Sequence, residues 1–203
     1  MTTQDRRQLQ DDELIDASVG QRVPDRDRDF TADVELVRAS PREPGALIGI
    51  VIRPEPDLRR RVPEAVLDVV EGMVGDDWRV RGSSSTPDGS ANPESQLTLM
   101  STRVLAAIEP DPDRWALAGD QLLVDFDLSI DHLPPGCRIT LGEAELAIST
   151  KPHTGCAKFS GRFGSDALRW INSPDGRDLR FRGVNARVIR SGTVRVGDEI
   201  RRR

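Results

Sequence analysis

Apolar residues along the chain fall into many short clusters separated by polar and turn-forming residues. The clusters VELVR (34–38) and ALIGIVIR (46–53) are rich in Val and Ile, which predicts strands. The pattern in QLTLMSTRVLAAI (96–108) predicts a strand that leads into a short helix capped near Ser101. DQLLVDFDL (120–128) predicts a further strand.

Two segments have apolar residues at helical spacing. In VPEAVLDVVEGMV (62–74) the spacing predicts a short amphipathic helix that ends at Gly72 or Gly75. In GSDALRWIN (164–172) it predicts a short helix with Ser165 as the N-cap.

Two other segments predict hairpins. RITLGEAELAIS (138–149) has a candidate two-residue turn at Gly142–Glu143, and ARVIRSGTVRVGDEI (186–200) has one around Ser191–Gly192. RGSSSTPDGSANP (81–93) is a polar loop, long enough for a functional flap or a plain surface connection.

Short strands with Gly and Pro between them, and only a few short helices, indicate a β-rich barrel. We predict one domain over residues 31–203. Residues 1–30 are dense in Asp, Arg and Gln and predict a flexible N-terminal arm.

Charge is distributed unevenly along the chain. Residues 1–150 carry 16 basic and 29 acidic side chains, whereas residues 151–203 carry 13 basic and 5 acidic ones. The basic part would favour an anionic ligand. Its arginines alternate with apolar residues and no nucleic-acid-binding module is recognisable, so we expect no nucleic acid. Solvated strand faces would produce the same pattern.

Targeting features are absent from the sequence. No apolar stretch approaches the roughly 18 residues that cross a bilayer, and the amino terminus has no apolar core of a secretory signal. We therefore expect a cytoplasmic protein that does not enter a membrane. A bridge between Cys137 and Cys156 is conceivable, but a reducing compartment favours free thiols.

Few residues remain as candidates for chemistry, because the common phosphate-binding, metalloprotease and serine-hydrolase motifs are missing. The segment PHTGCAKF (152–159) contains Cys156 together with His153 and Lys158. Lys151 directly precedes this segment, and Arg162 follows it. Cationic neighbours stabilise a thiolate, which is the nucleophilic and metal-binding form. A lone cysteine can equally be a buried apolar filler. Lys151 and Lys158 are the only lysines, so only they could form a Schiff base.

The run from Leu117 to Ile200 resembles a MOSC domain, the module named after the carboxy-terminal part of molybdenum-cofactor sulfurases. The matching pieces stand in the family's order: LAGDQLLVDFDLS, LPPGCRITLGEAELAIS, PHTGCAKFSGRFG and RFRGVNARVIRSGTVRVGDEI. Residues 34–100 resemble the leading part of stand-alone bacterial members more loosely.

The resemblance implies a MOSC-type β-barrel in which Cys156 carries sulfur or ligates molybdenum. Arg182 and Arg187 would suit the phosphate of a pterin cofactor, because guanidinium groups match phosphate oxygens. Arg162, Lys158 and His153 are further candidate cofactor-binding residues. Pyridoxal phosphate, which is mentioned for the family, is not expected as a Schiff base on this chain.

Three functions remain open at this point. The first is an enzyme that binds molybdenum cofactor through Cys156 and acts as a reductase of N-hydroxylated compounds or as a sulfurtransferase. The second is a non-catalytic carrier of a sulfurated or anionic ligand. The partners expected are a small-molecule or pterin-phosphate ligand and a sulfur-donor or electron-donor protein. The third is a zinc site built from His153, Cys156, His132 and Cys137.

Overall fold

The structure is a computed structural model that describes residues 14–18, 29–155 and 157–203. The strands are β1 (Leu14–Asp16), β2 (Gly45–Ile52), β3 (Leu58–Val62), β4 (Glu64–Asp68), β5 (Gly72–Met73), β6 (Leu97–Ser101), β7 (Leu122–Asp125), β8 (Arg138–Leu141), β9 (Ala144–Ile148), β10 (Val184–Arg190), β11 (Gly192–Arg195) and β12 (Glu199–Arg202). The helices are α1 (Thr31–Arg38), α2 (Trp78–Arg81), α3 (Thr102–Ile108), α4 (Ala157–Phe163), α5 (Ser165–Ile171) and α6 (Pro174–Asp178), with 3₁₀ turns at Pro93–Ser95 and Pro112–Ala118.

Seven strands close into a barrel, in the order β2, β12, β8, β9, β10, β6 and β7. Pairing of β7 with β2 completes the ring, and every pairing in it is antiparallel except that of β6 with β7. β3 and β1 extend the sheet outward from β2, while β11, β4 and β5 form a separate small sheet. The predicted β-rich barrel is confirmed.

Two apolar cores support this barrel. The first fills its interior with buried aliphatic side chains from the ring strands, among them Leu47, Leu99, Leu146 and Ile200. The second lies between the barrel wall and the helices, where the rings of Trp170 and Phe181 are 4.4 Å apart between centroids. The second core holds α4 and α5 against the barrel. It therefore fixes the chain on the carboxyl side of residue 156.

Several predicted elements are confirmed. β2 lies within the predicted strand 46–53, and β6 leads into α3 as expected, with the Ser101 hydroxyl accepting the Arg103 amide N–H. β8 and β9 form the hairpin predicted over 138–149. The helix within 164–172 is present, but its N-cap is Gly164 and Ser165 is the first helical residue. The Ser165 hydroxyl accepts a hydrogen bond from Arg169 and does not cap the helix.

The helix predicted over 62–74 is wrong, because this segment forms β4 and β5. Along β4 the buried side chains of Ala65 and Leu67 alternate with the exposed Val66, which is the period of a strand. The Asp68 carboxylate then accepts the amide N–H groups of Val70 and Glu71, which fixes a turn where the helix would have continued.

The strand predicted over 34–38 is also wrong, because these residues belong to α1. Helix α1 packs against α3, and its Val37 side chain is buried in the second core. The Arg103 guanidinium of α3 donates to the carbonyl oxygens of Leu36 and Ala39, at the end of α1. Satisfied end carbonyls and apolar packing outweigh the strand propensity of valine here.

The second predicted hairpin, around Ser191–Gly192, is wrong. β10 already lies between β9 and β6, so β11 cannot pair with it along the ring. β11 instead pairs with β4, and the Ser191 hydroxyl donates to Asp68 and accepts the Val69 amide. The chain therefore leaves the barrel at Gly192 and joins the small sheet.

Part of the predicted N-terminal arm is in contact with the barrel. Strand β1 (Leu14–Asp16) pairs with β3. Of the other residues before Asp29, the structure describes only 17 and 18. The division into an arm and one domain stays a prediction. Within the described residues, no helix combines the length and apolar character needed to cross a membrane.

Candidate functional site

The connection from β9 to α4, residues 149–155, is held in place by side chains of neighbouring elements. The Asn185 amide of β10 donates to the carbonyl oxygens of Lys151 and Pro152, at 3.1 and 3.3 Å. The Lys151 amide donates to the Ser149 hydroxyl at 2.9 Å. Asn185 is buried, so these bonds are shielded from water and fix the backbone that leads to residue 156.

Gly155 sets the distance between this connection and α5. A methyl group at this position would approach the side-chain ends of Leu168 and Ile171 to 2.6 and 2.7 Å, closer than carbon atoms pack. An alanine here would therefore require the ends of these two side chains to turn away from the connection. Cys156 itself lies outside the described residues, so its assignment as the reactive centre stays a prediction.

Two adjoining cavities share residues 151–154 as part of their lining. We name the larger one, of about 760 Å³, the Arg53 cavity, and the smaller one, of about 360 Å³, the Arg177 cavity. Residues 151–154 and Asn185 contribute to the walls of both. Gly82, Ser83 and Gly89 of the polar loop 81–93 line the Arg53 cavity, so this loop belongs to the site.

Both cavities have basic walls. Arg53, Arg81 and Lys151 line the Arg53 cavity. Lys151 also lines the Arg177 cavity, together with Arg177, Arg180 and Arg182. Among the described residues that line either cavity there is no aspartate or glutamate. Clefts lined by one sign of charge concentrate ions of the opposite sign, so both favour anions.

Arg53 is fixed by a bidentate contact with Asp76. Its Nε and Nη2 atoms donate to the two carboxylate oxygens at 2.9 and 2.8 Å, and Nη1 donates to the Gly119 carbonyl oxygen at 3.2 Å. Burial, with the charges of Arg162 and Arg53, lowers the pKa of Arg59 to about 10. Burial and the charge of Arg53 lower the pKa of Arg81 as well. Arg81 pairs with the buried Asp77 at 3.0 Å, so each of the two arginines that line this cavity has an aspartate behind it.

Arg182 forms a buried ion pair behind the Arg177 cavity. One guanidinium nitrogen donates to the Asp120 carboxylate at 2.5 Å and the other to the Ala118 carbonyl oxygen at 3.1 Å. The guanidinium also lies 5.0 Å from the centre of the Phe159 ring of α4. Burial raises the pKa of Asp120, and the charge of Arg182 opposes that shift. Arg182 therefore links the barrel to α4.

His153 lines both cavities, and its Nδ1 atom lies 3.5 Å from Oδ1 of Asp120. Neither atom has a hydrogen-bond partner among the described residues. Burial is the main cause of a pKa of His153 well below 6.5, and the nearby positive charges of Arg182 and Arg53 add to it. The ring is therefore neutral at physiological pH. A proton on Nδ1, facing the carboxylate, would leave Nε2 as the basic nitrogen.

Two of the sequence-predicted residues lie outside both cavities and meet at Asp57. The Lys158 ammonium is 2.8 Å and the Arg162 guanidinium 3.0 Å from the same carboxylate oxygen. Arg162 also donates to the carbonyl oxygens of Ala17 and Leu117, and it is buried. These contacts tie α4 to β1 and the barrel. Lys158 remains largely exposed.

Arg187 also lies outside the two cavities, exposed on β10. A hydrogen bond from Ser149 is the main cause of the low pKa of Glu94, and the charge of Arg187 contributes. Of the predicted cofactor-binding residues, the structure thus brings His153 and Arg182 together and leaves the other three outside the cavities.

The zinc hypothesis is not supported by the part of the chain that the structure describes. Among residues 14–18, 29–155 and 157–203, no three His, Cys, Asp or Glu side chains come close enough to share a metal ion. Cys137 is a free, half-buried thiol at the turn before β8. His132 is buried against Phe126, in an edge-on ring contact.

Sequence reasoning missed Arg53, Arg81, Asp120 and Asn185. Arg53 directly follows the strand ALIGIVI, and a charge at the end of an apolar strand is a signal that could have been used. Asp120 opens the apolar run QLLV, where an acid needs a buried partner. Nothing in the local sequence of Arg81 or Asn185 shows that either side chain faces the segment 151–154.

Comparison with known proteins identifies the family and agrees with the fold. The model of the MOSC domain matches residues 87–201. The solved structure of YuaD from Bacillus subtilis aligns with a TM-score of 0.53 at 18% identity, over 79% of this chain and 96% of that one. YiiM from Geobacillus stearothermophilus aligns with a TM-score of 0.53 at 16% identity, over 78% of this chain and 75% of that one. YiiM from Escherichia coli aligns with a TM-score of 0.50 at 19% identity, over 78% of this chain and 69% of that one. Identities this low support the fold alone. No curated protein matches the chain significantly.

Proposed function

Because this chain belongs to the MOSC domain family, we propose that it binds molybdenum cofactor, with Cys156 as the sulfur ligand and the Arg53 cavity around the pterin phosphate. The observation that supports this most is the basic lining of that cavity, in which no described residue is acidic. Arginine and lysine are the side chains that bind phosphate oxygens most strongly.

The residues present fit such a ligand. The Arg53 cavity, at about 760 Å³, falls in the size range of pockets that enclose cofactors and drug-sized molecules. The Arg53 guanidinium is held rigid by Asp76, and Arg81 and Lys151 extend the basic wall. A thiolate is a soft ligand that suits a thiophilic metal. Arg81 and Lys151 would hold the phosphate, while Cys156 would reach the metal.

When bound, the cofactor would supply two-electron redox chemistry or a transferable sulfur atom. The chain's own residues would position it: Asn185 holds the backbone of residues 151–152, and Gly155 sets the approach of the connection to α5. His153 would accept or deliver a proton at Nε2. We infer a reductase of N-hydroxylated compounds or a sulfurtransferase in the cytoplasm, served by a separate electron-donor or sulfur-donor protein.

The experiment compares wild-type protein with Cys156→Ser, after expression in a host that makes molybdenum cofactor. We expect close to one molybdenum per wild-type chain by elemental analysis and almost none in Cys156→Ser. Cys137→Ser is the matched control, because Cys137 is the other thiol and lies at a turn outside both cavities. Molybdenum-free wild-type protein, or equal metal content in the two variants, would contradict the proposal.

A carrier function is the second candidate, since a basic cavity would also hold a sulfurated or anionic ligand without turnover. It predicts a persulfide on Cys156, seen by intact mass as one added sulfur atom that is absent from Cys156→Ser. Persulfide without bound molybdenum would favour the carrier. Molybdenum without persulfide would favour the enzyme.

A further inference from the structure

The Arg177 cavity combines an apolar wall with a basic one. Ile130, Pro135, Ile171 and Val184 form the apolar part. Arg177, Arg180, Arg182 and Lys151 form the basic part. At about 360 Å³ the cavity lies near the lower end of the size range for small-molecule sites. Such a lining favours a small organic molecule that has an apolar body and a negatively charged group.

Arg177 and Arg180, like Lys151, are basic lining residues whose charge remains available to a ligand. Arg182 is neutralised by Asp120. Arg177 instead donates to the Asn172 carbonyl oxygen at 2.7 Å, and Arg180 to the Leu133 carbonyl oxygen at 2.6 Å. A carbonyl oxygen orients a guanidinium but carries no net charge. Both positive charges therefore face the cavity without an ionic partner in these contacts.

The cavity's position relates it to the cofactor site. Residues 151–154 and Asn185 line both the Arg177 cavity and the Arg53 cavity, so the two cavities adjoin. A molecule in the Arg177 cavity would thus lie next to the proposed cofactor, and it would contact the segment that leads to Cys156. His153 lines both cavities, so each ligand would have access to its ring. Two adjoining basic cavities can hold two different ligands within reach of each other.

We propose that the Arg177 cavity is the substrate subsite and that it selects small organic acids with an apolar body. The anionic group would contact Arg177 and Arg180, and the body would pack on Ile130 and Val184. The inference rests on the proposed function in one respect, namely that the cofactor occupies the Arg53 cavity.

Benzoate and its uncharged analogue benzamide are the probes, and calorimetry or ligand-detected NMR gives their affinities. Wild-type protein is expected to bind benzoate more tightly than benzamide. Arg177→Gln is expected to weaken benzoate by about fivefold, as for one partly exposed charge contact, and to leave benzamide unchanged. Arg169→Gln is the matched control, because Arg169 lies on the adjacent α5, pairs with Asp166 and does not line the cavity.

Ile130→Ser tests the apolar wall and is expected to weaken both probes by a similar factor. Molybdenum content, measured on the same samples, separates this inference from the proposed function. If Arg177→Gln retains molybdenum but binds benzoate like wild type, the substrate subsite is overturned. If no sample holds molybdenum but benzoate still depends on Arg177, the subsite stands as an anion site and the cofactor proposal fails.

Discussion

Two groups of basic residues at different places on the barrel differ in what surrounds their charges. Arg138, Arg190 and Arg203 surround Glu145, whose pKa is lowered chiefly by the hydrogen bond from Arg203. The arginines beside residues 151–154 line cavities whose described walls contain no acid. The first group neutralises a carboxylate of its own chain. In the second group, Arg53, Arg81 and Arg182 pair with aspartates that lie behind the cavity walls. Lys151, Arg177 and Arg180 instead contact a hydroxyl or carbonyl oxygens, so their charges are left to attract an anion from solution.

The net charge of the last 53 residues therefore overstates the basic surface that a ligand meets. Arg195 also pairs with Glu64, and Arg201 with Glu199. Such exposed pairs contribute little to stability, but they remove positive charge from the field around the barrel. Of this segment, Lys151, Arg177 and Arg180 line a cavity and have no acidic partner in their described contacts.

The largest difference between the two groups should appear when their acids are removed. Asp120→Ala would leave the buried Arg182 guanidinium without its partner, and we expect the free energy of unfolding to fall by about 3–5 kcal/mol. Glu145→Ala should cost much less, because its arginine partners are more than half exposed. Urea denaturation of both variants measures the difference. Equal losses would show that Arg182 is not the buried structural member of the site.

Substitution of Gly155 should have the next largest effect. The added methyl of Gly155→Ala must displace the ends of the Leu168 and Ile171 side chains, and we expect a loss of about 1–2 kcal/mol, in the lower part of the range for an overpacked core. Gly161→Ala is the matched control within α4, since nothing lies within 4 Å of a methyl group there, and it should be neutral or slightly stabilising. If thermal or urea unfolding gives Gly155→Ala and Gly161→Ala the same stability, the packing of residue 155 on α5 is contradicted.

The pH dependence of stability should identify the neutral His153. In the folded protein its pKa lies well below 6.5, so the unfolded chain binds an extra proton as the pH falls through that value. The free energy of unfolding therefore decreases towards acid pH, by up to about 1.4 kcal/mol for the first pH unit below the unfolded pKa. His153→Gln should remove this part of the slope. Urea titrations between about pH 7.5 and about pH 5.5 measure it, and an unchanged slope would mean that the folded ring takes up its proton at the same pH as in the unfolded chain.

How far the sequence predicts this molecule depends on the distance over which residues interact. The hairpin of β8 and β9 and the Ser101 cap were predicted because each is specified by a few neighbouring residues. The segment 62–74 was mistaken for a helix because its valines satisfy both periods over a short window. The hydrogen bond of Asp68 to the Val70 amide and the positive φ of Gly72 stabilise a turn between two strands instead.

The site was only partly predictable for the same reason. His153 and Lys151 were found because they are close to Cys156 in sequence. Arg53 and Asp120 reach the site only when the ring closes through the pairing of β2 with β7 and of β7 with β6. Lys158, close in sequence, instead turns to Asp57. Pairings between distant strands are not encoded in any local pattern.

The two lysines of the chain provide the most direct measurement. The Lys151 ammonium lines both cavities and contacts the Ser85 hydroxyl, whereas the Lys158 ammonium is paired with Asp57 outside them. Binding of inorganic phosphate is measured by calorimetry for Lys151→Gln and Lys158→Gln beside the wild type. We expect Lys151→Gln to weaken phosphate by about fivefold and Lys158→Gln to leave it unchanged. Equal affinities in the two variants would contradict the assignment of anion binding to the cavities beside residues 151–154.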